Sequence, residues 1–261
     1  MNSAKSPIPS ATILMLRENK EALETFMVIR HHQIDFASGA LVFPGGKVDQ
    51  ADYGLENLCN GLGNHDDGIH PAYRIAAVRE AFEESGILFA RDSSSLEIVS
   101  GDRLAELSHY REKLHSGEIS FRSFLEREGL ILTCSELIHF AHWITPEMMP
   151  KRFDTHFFLA KAPNQNAIHD GGESIDSVWI SPEKALAGNR NGKYTIIFPT
   201  RVNLELLGEN HSIMEAMESS RTRNIITILP WTEQKEDGAY VMIKRNSGYK
   251  TTQEKIPYQR D

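Results

Sequence analysis

The sequence has two cysteines in 261 residues, Cys59 and Cys134, far apart along the chain and in no CxxC pair. Neither a disulfide framework nor a thiolate metal centre is indicated, and a reducing, cytoplasmic setting is the expected compartment. No apolar run approaches the roughly 20 residues needed to span a bilayer; the longest, such as Ala11 to Leu16, have strand length. The polar start, Met1 to Ser10 with Pro7 and Pro9, lacks the charged-then-apolar order of a secretory signal, and Pro257-Tyr258-Gln259-Arg260-Asp261 is not a peroxisomal address. Internal repeats and low-complexity tracts are missing as well, which argues against a solenoid. There is no excess of basic residues: 28 Lys+Arg against 36 Asp+Glu give a net charge of -8, the wrong sign for binding a nucleic-acid polymer. A soluble protein with a small-molecule or protein partner and no membrane association is expected. What is present, 40% hydrophobic and 25% charged residues, is ordinary globular composition.

Strand patterns come first, at Ala11 to Arg17, Thr25 to His31 and Ala40 to Phe43, the last running into Pro44-Gly45-Gly46. Lys47 to His70 is rich in Gly, Asn and acids and reads as a long solvated loop. Pro71 to Ser85 turns helical, with Pro71 suited to the first turn and Gly86 to the stop. Two further helices are expected at Asp102 to His115 and Ser120 to Glu128. Strands resume at Ser135 to Ile144, Phe153 to Ala160 and Ser177 to Ile180, followed by a helix from Ser181 to Gly188 and another from Thr200 to Gly208. The tail, from Glu209, offers a helix near Ser212 to Ser220 and strands at Asn224 to Leu229 and Ala239 to Ile243. Interleaved strands and helices predict an α/β domain around a mixed sheet.

The chemistry concentrates in Arg79-Glu80-Ala81-Phe82-Glu83-Glu84-Ser85-Gly86-Ile87. At about 100° per residue, Glu80, Glu83 and Glu84 share one helix face, opposite an apolar stripe of Ile75, Val78 and Phe82. Arg79 borders Glu83 and can orient it. Glutamates on a helix face are usually just solvated. Three adjacent carboxylates repel one another, however, and a divalent cation removes that cost. Oxygen ligands alone select a hard ion, Mg²⁺ with Mn²⁺ as the alternative, over zinc. Gly45 and Gly46, at the end of a strand, permit close backbone approach to a ligand. They do not form a P-loop, because Leu41 and Val48 stand where its first glycine and its hydroxyl belong.

Together these two elements resemble the Nudix family, whose signature is G-x5-E-x7-R-E-U-x-E-E-x-G-U. Gly46, Arg79-Glu80, Glu83-Glu84 and Gly86-Ile87 match it. Two departures stand out: Gly46 to Arg79 spans 33 positions, a 19-residue insertion, and the early glutamate is missing, with Asp52 found when counting forward from Gly46 and Pro71 when counting back from Arg79. The split signature, the helices after it and the runs His142 to Pro146, Arg152 to Phe158 and His169 to Glu173 resemble the branch of peroxisomal coenzyme A diphosphatases and their bacterial relatives.

The resemblance implies a Nudix α/β/α sandwich with a mixed β-sheet, a helical insertion and a C-terminal extension. The core is expected at about 8–90 and 134–207, with insertions at 47–70 and 91–133 and the extension at 208–261. It also implies Mg²⁺-dependent hydrolysis of a diphosphate that joins a nucleoside to another moiety, by a chain that could work as a homodimer. Glu80, Glu83 and Glu84 would hold the metal, with a carbonyl of Gly45 or Gly46. Glu80 is the first nominee for general base and Glu173 the second. Arg30, Lys47 and Arg152 are candidate phosphate contacts, and one of Trp143, Trp179, Phe157 and Phe158, otherwise core residues, could stack on a base. A basic stretch found before the signature in another coenzyme A-cleaving branch is broken here, with His31 and Asp35 at two of its positions. A coenzyme A or acyl-coenzyme A substrate therefore rests on the branch resemblance. ADP-ribose, NADH or a sugar nucleotide, or a ligand sensor without catalysis, are the competing readings.

Overall fold

Apolar residues on the strands alternate between two cores. In β1 (Ile8–Glu18), Ala11, Ile13 and Met15 enter one apolar cluster and Leu14 and Leu16 the other, as side chains of period two must when a strand is buried on both faces. The computed structural model describes residues 6–19, 22–30, 39–62, 67–165 and 174–256. Its other strands are β2 (Leu23–Arg30), β3 (Leu41–Val42), β4 (Gly45–Lys47), β5 (Ala90–Asp92), β6 (Leu130–Leu132), β7 (Ile138–Ile144), β8 (Phe153–Lys161), β9 (Ser174–Ile180), β10 (Thr227–Ile228), β11 (Trp231–Lys235), β12 (Gly238–Met242) and β13 (Gln253–Lys255). The helices are α1 (Pro71–Ser85), α2 (Gly101–Leu107), α3 (Tyr110–His115), α4 (Phe121–Glu128), α5 (Pro182–Arg190), α6 (Phe198–Leu207) and α7 (Ile213–Thr222).

Eight strands form the main sheet, in the order β10-β7-β8-β1-β2-β3, with β4 added to β1 and β9 to β2. The β1–β8 and β7–β10 pairs are parallel and the remaining pairs antiparallel, so the sheet is mixed as expected. Residues of α1, α3 and α4 fill the core on one face. Residues of α5, α6 and α7 fill the other, completing the α/β/α sandwich. No helix among the described residues is long and apolar enough to cross a membrane.

Helix α1 has the predicted bounds. Pro71 opens it, the His70 ring accepts from the Ala72 amide at 3.2 Å, and Gly86 closes it at φ 75°, a left-handed conformation that favours glycine. The single helix expected over Asp102 to His115 is instead two, α2 and α3. The Ser108 amide and hydroxyl both turn back to the Ala105 carbonyl, at 3.2 and 2.7 Å, which ends the first helix there.

Two expectations need correction. The acidic segment after Lys47 is not a solvated loop: Leu55 is fully buried, Leu58, Cys59 and Leu62 pack on the same core, and the Asn60 amide donates to the Leu132 carbonyl at 2.8 Å. Its apolar residues are spaced irregularly, so no strand or helix period announces them. That docking also joins the two cysteines, remote in sequence, with their sulfurs 3.3 Å apart and both free. Strand Asn224 to Leu229 shrinks to β10, and β11 and β13 flank β12 in a separate three-stranded sheet.

Candidate active site

Helix α1 carries Arg79, Glu80, Glu83 and Glu84 over little more than one turn. Ile75, Val78 and Phe82 lie in the core as the helical wheel requires, yet the acids on the other face are buried too, at 9%, 8% and 6% exposure for Glu80, Glu83 and Glu84. Strand β4 is part of the cover. The Gly45 amide donates to Glu84 Oε2 at 3.0 Å, and a Cβ placed on Gly46 would lie 2.4 Å from Glu80 Oε1. A Cβ on Gly45 would meet the Ala11 carbonyl at 2.4 Å. The double glycine is therefore required by close approach, at Gly45 to β1 and at Gly46 to a carboxylate.

Arg79 is the hub of the site. Its Nε and one terminal nitrogen donate to the two oxygens of Asp52 at 2.9 and 3.0 Å, a bidentate fork. The other terminal nitrogen reaches Glu80 Oε1 at 2.9 Å and Glu83 Oε1 at 3.4 Å, the Lys47 carbonyl accepts at 2.8 Å, and Asp49 lies at 3.7 Å. One guanidinium is thus shared by four carboxylates. Burial pushes the pKa of Asp52 and of Glu83 up, and Arg79 offsets only part of that shift in each. Burial also acts to lower the pKa of Arg79, but Glu80, Asp52 and Glu83 outweigh it and raise it. Asp52 is fully buried, and it stands at the forward-counted place of the signature's early acid.

Except for the fully buried Asp52, these groups line a cavity of about 780 Å³. Arg30, Gly45, Gly46, Lys47, Arg79, Glu80, Glu83 and Glu84 all line it, so most of the residues singled out in the sequence converge. The Arg30 Nε is buried without a hydrogen-bond partner among the described residues, a donor suited to an anionic ligand. Arg152 does not line the cavity. It is buried with Nε on the Thr145 carbonyl at 3.0 Å, and its neighbour Lys151 faces the cavity instead. Glu173, His31 and Asp35 lie outside the described residues.

The lining also includes the apolar side chains of Trp143, Phe153, Phe157, Ile197, Phe198, Pro230 and Val241. Trp143 is held by its ring N–H, which donates to Tyr249 OH at 3.0 Å. Phe158 is fully buried in the core and Trp179 packs edge-on against Phe26, so neither reaches the cavity. Pro230 and Val241 come from the C-terminal segment, whose part in the site the sequence did not signal.

The donor set fits a hard divalent cation. It consists of oxygens only, buried, with the Glu80 carboxylate packed directly against the Gly46 backbone and more negative than positive charge around Arg79. Glu80, Glu83 and Glu84 would hold such an ion, beside the backbone of Gly45 and Gly46.

The family model of the NUDT19 Nudix domain matches residues 63–205, more than half of the chain and including the whole of α1. The chain belongs to the NUDT19 Nudix family. Among its family relatives is the acyl-coenzyme A diphosphatase NUDT19 of Xenopus laevis, 25% identical over an alignment of 232 residues that covers 73% of this chain and 61% of that protein. The human protein of the same name is 28% identical over 206 residues, covering 63% of this chain and 55% of that protein. The chain thus spans about three-fifths of the length of the curated relatives it matches. The crystal structure of a Nudix hydrolase from Alicyclobacillus acidocaldarius superposes with a TM-score of 0.68 at 25% identity, over 81% of this chain and 99% of that one.

Proposed function

We propose that this Nudix chain is a hydrolase of the diphosphate linkage in nucleoside diphosphate-linked small molecules, with coenzyme A or an acyl-coenzyme A as the preferred substrate and Mg²⁺ as the cofactor. The observation that carries the reading is one cavity lined both by buried carboxylates around Arg79 and by apolar side chains such as Trp143 and Phe198. Such a cavity suits a ligand with a polyanionic middle and an apolar arm. A divalent cation held by the glutamates supplies charge neutralisation for the diphosphate and acidity for a coordinated water.

The remaining work falls to side chains. Arg79 orients Glu80 and Glu83, Glu80 takes the proton of the attacking water with Glu173 as second nominee, and Arg30, Lys47 and Lys151 receive phosphate oxygens. The Trp143 and Phe157 rings offer surfaces on which a base or an apolar arm can lie. ADP-ribose, NADH and sugar nucleotides are the alternative substrates, and a catalytically silent sensor is the alternative class.

The test is incubation with Mg²⁺ and a panel of these compounds, with products separated by chromatography. Coenzyme A should yield 4'-phosphopantetheine and 3',5'-ADP. Cleavage of ADP-ribose in preference to coenzyme A would move the substrate assignment, and cleavage of no panel member would reject the enzyme.

A further inference from the structure

Adjacent residues of β7 and β8 face different cavities. Trp143, Thr155 and Phe157 line the acidic cavity, whereas His139, His142 and His156 line a second one of about 950 Å³. Strand alternation separates the two across the sheet. The register places His142 directly opposite His156, with Asp154 two residues before it on the same face. A register shift between His139 and Ala141 brings His139 round to the face of His142, which a regular strand would not do.

We propose that His142, Asp154 and His156 bind one divalent transition-metal ion of the zinc class, at a site separate from the glutamates of α1. One ligand atom from each of the three lies within 4.8 Å of the others. His142 Nε2 and Asp154 Oδ1 are 2.5 Å apart, and the His142 and His156 rings stack at 4.0 Å between centroids. Around a tetrahedral ion with bonds of about 2.0–2.1 Å, ligand atoms sit about 3.3 Å apart. From 2.5 Å for His142 and Asp154, and no more than 4.8 Å for the other pairs, this takes shifts of at most about 1.5 Å. Side-chain rotation can supply this, because none of the three residues is fully buried.

The outer partners also suit a metal site. His142 Nδ1 lies 2.8 Å from Thr227 Oγ1, and His156 Nδ1 lies 3.1 Å from His139 Nε2. Each imidazole is thus held through Nδ1, the arrangement that fixes ring orientation in histidine-ligated metals, while His142 Nε2 points at the Asp154 carboxylate, where an ion would replace the direct contact. Two imidazoles and one carboxylate favour Zn²⁺, Co²⁺ or Ni²⁺ over Mg²⁺, the converse of the all-oxygen set on α1. Three protein ligands leave a fourth position for water or an exchangeable ligand, beside the roomy second cavity.

The experiment uses the full, tag-free chain, stripped of metal with a chelator and then titrated with Co²⁺ and, by calorimetry, with Zn²⁺ in the presence of excess Mg²⁺. One equivalent should bind, with the visible absorption of four-coordinate Co²⁺. His142→Asn and His156→Ala should each weaken binding about 100-fold or more, while Glu83→Gln leaves it unchanged. If circular dichroism shows that either histidine variant does not fold, Asp154→Asn, which keeps the side-chain shape, gives the same comparison. Absence of saturable binding to the wild-type chain would overturn the proposal. So would binding that survives the changes at His142, Asp154 and His156, or that disappears in Glu83→Gln.

Discussion

Replacing Asp52 by alanine tests the idea that the site is organised through Arg79. Asp52 is fully buried, accepts both arms of the guanidinium fork at 2.9 and 3.0 Å and also accepts the Asp49 amide at 2.8 Å. Removing one partner of a buried ion pair costs about 3–5 kcal/mol, because the other charge stays buried. Two features reduce that here. Arg79 keeps Glu80, Glu83 and the Lys47 carbonyl, and the desolvation that raises the pKa of Asp52 is relieved by its removal. A net loss of about 2–3 kcal/mol is expected, hence a fall in Tm of about 5–10 °C for a chain of this size. Freed from the fork, Arg79 is drawn onto Glu80 and Glu83, and the resulting displacement should lower kcat about 10- to 100-fold. Asp52→Asn, which keeps the shape and one acceptor, should fall between the two. Thermal denaturation and steady-state kinetics with Mg²⁺ read both quantities. Wild-type Tm and kcat in Asp52→Ala would refute the argument.

Glu83→Gln should retain the wild-type fold by circular dichroism and lose most turnover, with a weaker Mg²⁺ dependence of whatever remains; near-normal kcat would remove Glu83 from the metal set. Gly46→Ala places a methyl group 2.4 Å from Glu80 Oε1 and 2.8 Å from its other oxygen, so Glu80 must turn away and kcat should fall at least tenfold. An unchanged rate would show that Glu80 need not occupy that position. Acid should destabilise the fold through His139 and His156, whose folded pKa values are lowered to about 4 and about 3 by burial. The stability due to their neutral forms is complete above the unfolded pKa of about 6.5 and is lost as pH falls through the folded values. Chemical denaturation from pH 7 to pH 4 should therefore show a declining unfolding free energy, and His156→Gln should flatten that decline.

The sandwich was legible because its signals are local. Pro71 and Gly86 frame α1 whatever surrounds it, and the alternation of Ala11, Ile13 and Met15 with Leu14 and Leu16 needs only two apolar faces. Arg79, Glu80, Glu83 and Glu84 of α1 and the double glycine were legible as one site because the motif resembles a family pattern. Their burial was not, because a helical wheel cannot know that β4 lies over the acidic face. The meeting of Cys59 with Cys134 and the substitution of Lys151 for Arg152 at the cavity depend on docking and strand phase that no periodicity encodes. Nor did β11 and β13 announce themselves. Their residues are largely exposed, so the sheet they form with β12 leaves little apolar alternation to read.

The position of the insertion explains how the signature tolerates being split. It falls after Asp52, so the spacing from Gly46 to the early acid is kept, and only the path from that acid to Arg79 is lengthened, to 27 positions. Loop-closure entropy grows with the logarithm of length, so stretching the signature's x7 gap to this extent costs about 1 kcal/mol. The fork between Asp52 and Arg79 resists breakage by about 2–3 kcal/mol on the reasoning above, and Leu55, buried within the inserted stretch, adds apolar contact. The lengthened loop is therefore closed by contacts stronger than its entropic cost. Lengthening before Asp52 would instead have disturbed the Gly45 and Gly46 backbone, where a methyl group already has no room.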